Sequence, residues 1–378
     1  MKRWLIRCLC GVAAALALGF VLPGFPSLDS EIPVPAPVDA SATAPAPVPA
    51  PPVPVVEVLV PFDGPIEHIF FHPLIIYPEL AFDGDSLSRG YDDWFTTVAE
   101  FRRILDALHA NGYVLVNLES VVAQRSEDGK TTVSRLPLLL PPGKKPLVLS
   151  VDDINYYAYM RQNGNAHRLV VDEGGRLATY SVNPKGEPVT AYDNDIVPLV
   201  ESFVAEHPDF SFRGARGILA VTGYEGILGY RTDQTTAPGY EGERTQAELV
   251  VRRLKELGWT FAAHGWGHLD AAKVSYNTLA ADTNRWKSEV EPLTGPTPVY
   301  IYPFGSGVRS EDPKLQLLRD AGFRIFCGVG PTPFLKVEPT HAIMDRRHLD
   351  GLAFRDQRQS LLPLFDTDQI IDKVRPSR

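Results

Sequence analysis

The chain has 378 residues, 44% of them hydrophobic, with 46 acidic against 37 basic side chains and a formal charge of −9. That length and apolar content suit one large core with an appendage, and the acidic balance without clustered Lys and Arg excludes a general nucleic-acid binder and suits a neutral or basic glycan partner. Cys8 and Cys10 lie near the start and Cys327 alone in the body, so the body forms no internal disulfide.

Lys2, Arg3 and Arg7 precede an apolar stretch from Cys8 to Leu22, the layout of an export signal. The stretch is short of the roughly twenty residues a membrane span needs, yet Trp4, Leu5 and Phe25 lengthen it enough for an uncleaved anchor. Residues 1–25 are therefore expected to be a signal peptide or signal anchor, which makes the protein exported, extracellular or held at the cell envelope. Residues 26–62 form a Pro/Ala-rich linker around Pro45-Ala46-Pro47-Val48-Pro49. Repeated proline removes backbone donors and favours polyproline II, a semi-rigid spacer that holds a domain away from a membrane.

From residue 63 to 378 short apolar runs alternate with helical patterns, which predicts one domain with a mainly parallel sheet. Strands are expected at His68 to Phe71, Tyr113 to Val116, Leu147 to Val151, Gly217 to Val221, Thr260 to Ala263, Val299 to Tyr302, Arg324 to Cys327 and Ala342 to Met344. Helices are expected at Asp93 to Ala110, Asp195 to Glu206, Arg244 to Leu257, Ser275 to Leu293 and Pro313 to Ala321. Seven or eight units suit an irregular α/β barrel, (β/α)7-8, and no Gly-rich phosphate fingerprint follows the first strand. Between about 165 and 192 the rhythm breaks. Alternation around Asp172-Glu173-Gly174-Gly175 predicts an inserted β-hairpin placed to wall a substrate groove.

The chemistry gathers at strand ends. Asp152 and Asp153 follow the Leu147 to Val151 run, and two like charges so close push their pKa values apart, which separates a ligand from a proton acceptor. Adjacent acids at a strand end also serve as plain helix caps. His264 and His268 are four apart, a spacing that brings both rings to one helical face and suits a metal. Gly265 stands where a zincin carries its glutamate, so that motif is excluded. Tyr156, Tyr157, Tyr159, Trp266 and Phe304 offer aromatic faces for sugar rings or for the core. Thr222 to Tyr230 is glycine-rich and expected to form a loop over the cleft.

Strand-Asp152-Asp153, then His264-x-x-x-His268, then Tyr302-Pro303-Phe304-Gly305, in that order from about Glu67 to Gly351, resembles the polysaccharide deacetylases, the NodB-type carbohydrate esterases. The resemblance implies a NodB-homology barrel, Asp152 as base and Asp153, His264 and His268 as ligands of one divalent ion. Zinc is the first choice, and cobalt, nickel or iron fit the same donors. Tyr302, Pro303 and Phe304 are then expected to contact substrate, with the Phe304 backbone N–H facing the oxyanion by that resemblance, and Trp266, between the two histidines, is expected to stack on sugar or to serve the core. The usual Thr-Phe-Asp-Asp-Gly is here Ser150-Val151-Asp152-Asp153-Ile154, and motif three lacks its arginine. Arg346 resembles the arginine that follows the last strands in many relatives, although a surface basic pair reads the same way. No Leu-x-x-His follows it. Ile69-Phe70-Phe71-His72-Pro73 resembles the N-terminal histidine motif of exported poly-N-acetylglucosamine deacetylases, which makes His72 the acid, with His348 and His341 in reserve.

The expected activity is N-deacetylation of an amino-sugar polymer of the envelope, peptidoglycan or poly-N-acetylglucosamine, by a monomer with a membrane tether. Two other readings keep the fold: a glycan-binding relative without chemistry, and a metallo-amidase on a small substrate.

Overall fold

The structure, a computed structural model, describes residues 58–376. The expected leader and most of the proline-rich linker lie outside the described residues. The first strands are β1 Val60–Phe62, β2 Glu67–Phe71, β3 Tyr113–Leu115, β4 Val122–Glu127, β5 Lys130–Arg135, β6 Leu138–Leu140 and β7 Lys145–Val151. There follow β8 Arg168–Val171, β9 Leu177–Val182, β10 Pro188–Ala191, β11 Ile218–Val221, β12 Thr260–Ala263, β13 Val299–Ile301, β14 Ile325–Val329, β15 Phe334–Glu338 and β16 His341–His348. The helices are α1 Pro78–Ala81, α2 Ser88–Trp94, α3 Val98–Ala110, α4 Ala158–Gln162, α5 Ile196–Glu206 and α6 Tyr240–Leu257. The later ones are α7 Tyr276–Glu289, α8 Glu291–Thr294, α9 Pro313–Asp320, α10 Gly351–Asp356, α11 Arg358–Leu361 and α12 Thr367–Ile370.

β2, β7, β11, β12, β13, β14 and β16 pair in parallel, and β11 pairs back onto β7 to close a seven-strand barrel. The expected (β/α)7-8 barrel is thus one of seven. The expected strand at Tyr113 is β3, but it pairs with the first half of β7 only, outside the ring. The last two residues of β7, Ser150 and Val151, are taken by β11.

Two other expectations shift. The hairpin is the β8–β9 pair with a third antiparallel strand, β10, beyond it. Pro188 opens β10, a residue tolerated at the start of an edge strand and easily read as loop. This small sheet braces the loop after β11, through Leu169 N–H to Leu228 O (3.1 Å) and Tyr230 OH to Leu169 O (2.8 Å), instead of walling the groove. The helix expected from Asp93 is broken at Phe95–Thr97 into α2 and α3. Thr97 starts α3 with a capping box: its Oγ1 accepts from Glu100 N–H, and its own N–H donates to Glu100 Oε2.

Strand residues point alternately to the two faces of the barrel wall. Leu147, Leu149 and Val151 join Leu219, Phe261, Tyr300 and Phe326 in the cluster under the helices. Val148, Ile218, Ala220, Ala262, Ile301, Cys327 and Met344 form the inner cluster. The same alternation carries His72, Asp152, His264, Arg346 and His348 to the inner face at the carboxyl rim.

Candidate active site

At the rim these residues line a cavity of about 600 Å³ together with Asp153, His268, Trp94, Tyr159 and Phe304. Three of its non-glycine residues hold left-handed backbone: Asp153 (φ 57°), His268 (φ 51°) and Phe304 (φ 59°). Such conformations are costly for residues with side chains, and they cluster where function needs a particular direction. The turn at Asp153 lets the second aspartate leave the strand and face the histidines.

Asp153 Oδ1 lies 3.8 Å from His264 Nε2 and 3.6 Å from His268 Nε2. One donor atom from each of the three residues falls within 4.8 Å of the others. His264 Nδ1 hydrogen-bonds the carbonyl of Ile301 at 2.8 Å, which fixes the tautomer with its Nε2 lone pair toward Asp153. Burial, opposed by Asp152, brings its pKa down to about 4, so the ring is neutral. A carboxylate and two imidazoles fit a zinc-like ion. The expected helical face is absent: His264 and His268 meet across an open turn after β12. Asp282 on α7 pins that turn, accepting from Trp266 N–H (2.8 Å) and Gly267 N–H (2.7 Å). Asp153 Oδ1 also accepts from the buried Tyr157 hydroxyl at 3.0 Å. A second group, His109, His207 and Asp209, lies elsewhere, but there Lys144 Nζ already sits 2.7 Å from Asp209.

Asp152 faces Arg346 in a two-pronged pair, Nη1 to Oδ1 at 2.6 Å and Nη2 to Oδ2 at 2.9 Å, both groups buried. Burial works to raise the Asp152 pKa, but Arg346, His264 and His72 prevail and hold it down to about 2. Arg346 is therefore the buried partner of Asp152 and no surface pair. Its guanidinium also lies over the Phe70 ring at 4.2 Å. The two aspartates thus face different ways: Asp153 toward the histidines and Asp152 toward Arg346, which holds it ionised.

His72 hydrogen-bonds the Trp94 carbonyl through Nδ1 at 3.1 Å, which leaves Nε2 for the cavity. His348 also lines the cavity, but Asp350 Oδ2 holds its Nδ1 at 2.8 Å and the Gln357 amide holds its Nε2 at 2.7 Å. His341 is at the far end of β16, seven residues and roughly 23 Å of extended chain from His348. It drops out as a candidate acid.

Of the four expected substrate contacts, Phe304 alone lines the cavity, 70% exposed and edge-on to His268. Tyr302 follows β13 on its outer face and is buried against Phe326, with Pro303 buried beside it. Trp266 points away, its Nε1–H bonded to Glu289 at 2.8 Å and its ring covered by Arg285. Trp94 and Tyr159 are the exposed aromatics that do face the cavity. Strand alternation could have excluded Tyr302 and admitted His348. Trp94 carried no signal, because its place depends on the break after α2.

The fold is a seven-strand α/β barrel, and at its carboxyl rim a carboxylate and two imidazoles that could hold a metal stand beside a second, ionised carboxylate. Residues 234–326 match the family model of polysaccharide deacetylases, so the NodB-type resemblance holds for the stretch that carries His264, His268 and the Tyr302–Gly305 turn. No curated protein matches the chain. Among solved structures it is similar to the Streptococcus pyogenes deacetylase PplD in complex with acetate, at 12% identity over 78% of this chain and 94% of that one, TM-score 0.40. It is also similar to a de-N-acetylase from Aggregatibacter actinomycetemcomitans, at 14% identity over 80% and 100%, TM-score 0.45.

Proposed function

We propose that the protein is a metal-dependent hydrolase that removes N-acetyl groups from an amino-sugar polymer of the cell envelope, peptidoglycan or poly-N-acetylglucosamine. The observation that carries this reading is the meeting of Asp153, His264 and His268 beside a carboxylate that Arg346 keeps ionised, all in one open cavity. A bound divalent ion, zinc first, would polarise the acetyl carbonyl and make water a better nucleophile. Asp152 takes the proton from the attacking water; its pairing with Arg346 keeps it unprotonated for the task. His72 gives a proton from Nε2 to the leaving amine, while its Nδ1–H stays on the Trp94 carbonyl. The Phe304 backbone N–H stabilises the oxyanion. Phe304, Trp94 and Tyr159 supply apolar faces for sugar rings. The basic and apolar start of the chain, followed by proline-rich sequence, supports export and a tether at the envelope, with a monomer as the working unit.

The test pairs metal content with acetate release from N-acetylglucosamine oligomers and peptidoglycan fragments. One zinc per chain with acetate release from oligomers is expected, and His264→Ala should lose both. Bound zinc with no acetate from any glycan would mean a binding protein. Release from small amides alone would mean a metallo-amidase.

A further inference from the structure

Far along the chain from the rim, the side chain of Arg375 is only 6% exposed, and the groups around it lie next to the proposed acid. Its guanidinium makes five hydrogen bonds, the full donor capacity of the group. Nε donates to Glu100 Oε1 at 2.6 Å and Nη2 to Glu100 Oε2 at 2.8 Å. Nη1 donates to the carbonyl of Asp92 at 2.8 Å and to its Oδ1 at 3.0 Å, and Nη2 donates to the carbonyl of Phe95 at 2.6 Å. Glu100 and Asp92 are themselves buried and need cations beside them; Arg375 meets both, and Arg355 shares Asp92, its Nη1 donating to Oδ2 at 3.0 Å and to the carbonyl at 3.2 Å.

The two carbonyls so gripped belong to residues on either side of Trp94. A helix leaves its last carbonyls without partners. At the end of α2 Arg375 takes that of Asp92, and His72 takes that of Trp94. Phe95 adds a second link, since its ring packs 5.5 Å from the His72 ring and 4.4 Å from that of Tyr91. Glu100 is tied to Arg375 and closes the capping box on Thr97, so one carboxylate sets both the start of α3 and the guanidinium. The fit is close enough to require glycine at Gly351, where a Cβ would meet the Asp92 carbonyl at 1.9 Å and Arg375 Nη1 at 2.5 Å.

We propose that Arg375 is a positioning residue for the catalytic acid: it fixes the peptide chain around Trp94, whose carbonyl orients His72. This rests on the assignment of His72 as the acid. Losing Arg375 frees the Phe95 carbonyl and leaves that of Asp92 to Arg355, which lets the α2–α3 break shift and misaims Nε2 while Asp153, His264, His268 and Asp152 stay in place.

The experiment compares two substrates on the full chain. N-acetylglucosamine oligomers need a proton on the leaving amine; an activated aryl acetate ester does not. Arg375→Gln should lower kcat on the oligomer 10- to 100-fold with KM little changed, leave ester hydrolysis within twofold, and keep zinc content. Free guanidinium should restore part of the oligomer activity to Arg375→Ala. His72→Asn should show the same split, and adding Arg375→Gln to it should cost nothing more. An equal fall on both substrates, or a further tenfold loss in the His72→Asn background, overturns the role of Arg375. Full oligomer turnover by His72→Asn instead removes the acid assignment, and the positioning role with it. If Arg375→Gln does not fold, Arg375→Lys carries the test, since it keeps the charge but cannot span both carbonyls.

Discussion

Asp152 carries a negative charge inside the barrel because a single guanidinium meets both of its oxygens. Its folded pKa of about 2 lies below the ordinary 3.8, so the pair stabilises the fold above pH 4, and that contribution is lost as pH falls from 4 toward 2. The shift corresponds to about 2 kcal/mol. Urea unfolding of the metal-free protein should show stability dropping through that window, and Asp152→Asn should flatten the drop. The same variant should bind zinc normally while turnover falls by about two to four orders of magnitude, the usual range for a lost general base. Normal turnover in Asp152→Asn would remove it as the base.

At the scale of elements, the strands were readable because parallel barrel strands are buried on both sides and appear as continuous apolar runs, such as Leu147 to Val151. Their alternation also turns Asp152, His264 and Arg346 inward, whereas Asp153 reaches the histidines only through its left-handed turn. What could not be read was the path of the chain after each strand. The His264–His268 spacing suggested a helix, yet Gly265 (φ 68°) and His268 (φ 51°) turn the chain through conformations that no periodicity reports. The turn is held from α7, eighteen residues past His264, by Asp282. Removing that carboxylate in Asp282→Ala leaves two backbone N–H groups unpaired and lets the His268 ring drift. Zinc affinity should fall 10- to 100-fold, as for other groups that orient metal ligands, with Asp152 and Arg346 untouched. A zinc titration that gives the parental affinity would show that the ligands hold the turn by themselves.

Across the whole molecule, the setting of the proposed acid draws on the widest sequence separation: His72 just after the first barrel strand, Trp94 from the broken helix, and Arg375 from beyond α12. Long-range assembly of this kind leaves no local pattern, which is why His72 was found by resemblance and Trp94 and Arg375 not at all. Every residue of the proposed machinery nevertheless lies between His72 and Arg375, within the compact unit that runs from Val56 to the end of the sequence. The proposed export signal and spacer then contribute address and not chemistry. A chain beginning at Val56 should bind one zinc and turn over soluble N-acetylglucosamine oligomers within twofold of the full chain, measured by acetate release. On intact envelope material the shorter chain should act more slowly, because a tether raises the local concentration of enzyme at its polymer. A large loss on soluble oligomers would place part of the active machinery before Val56.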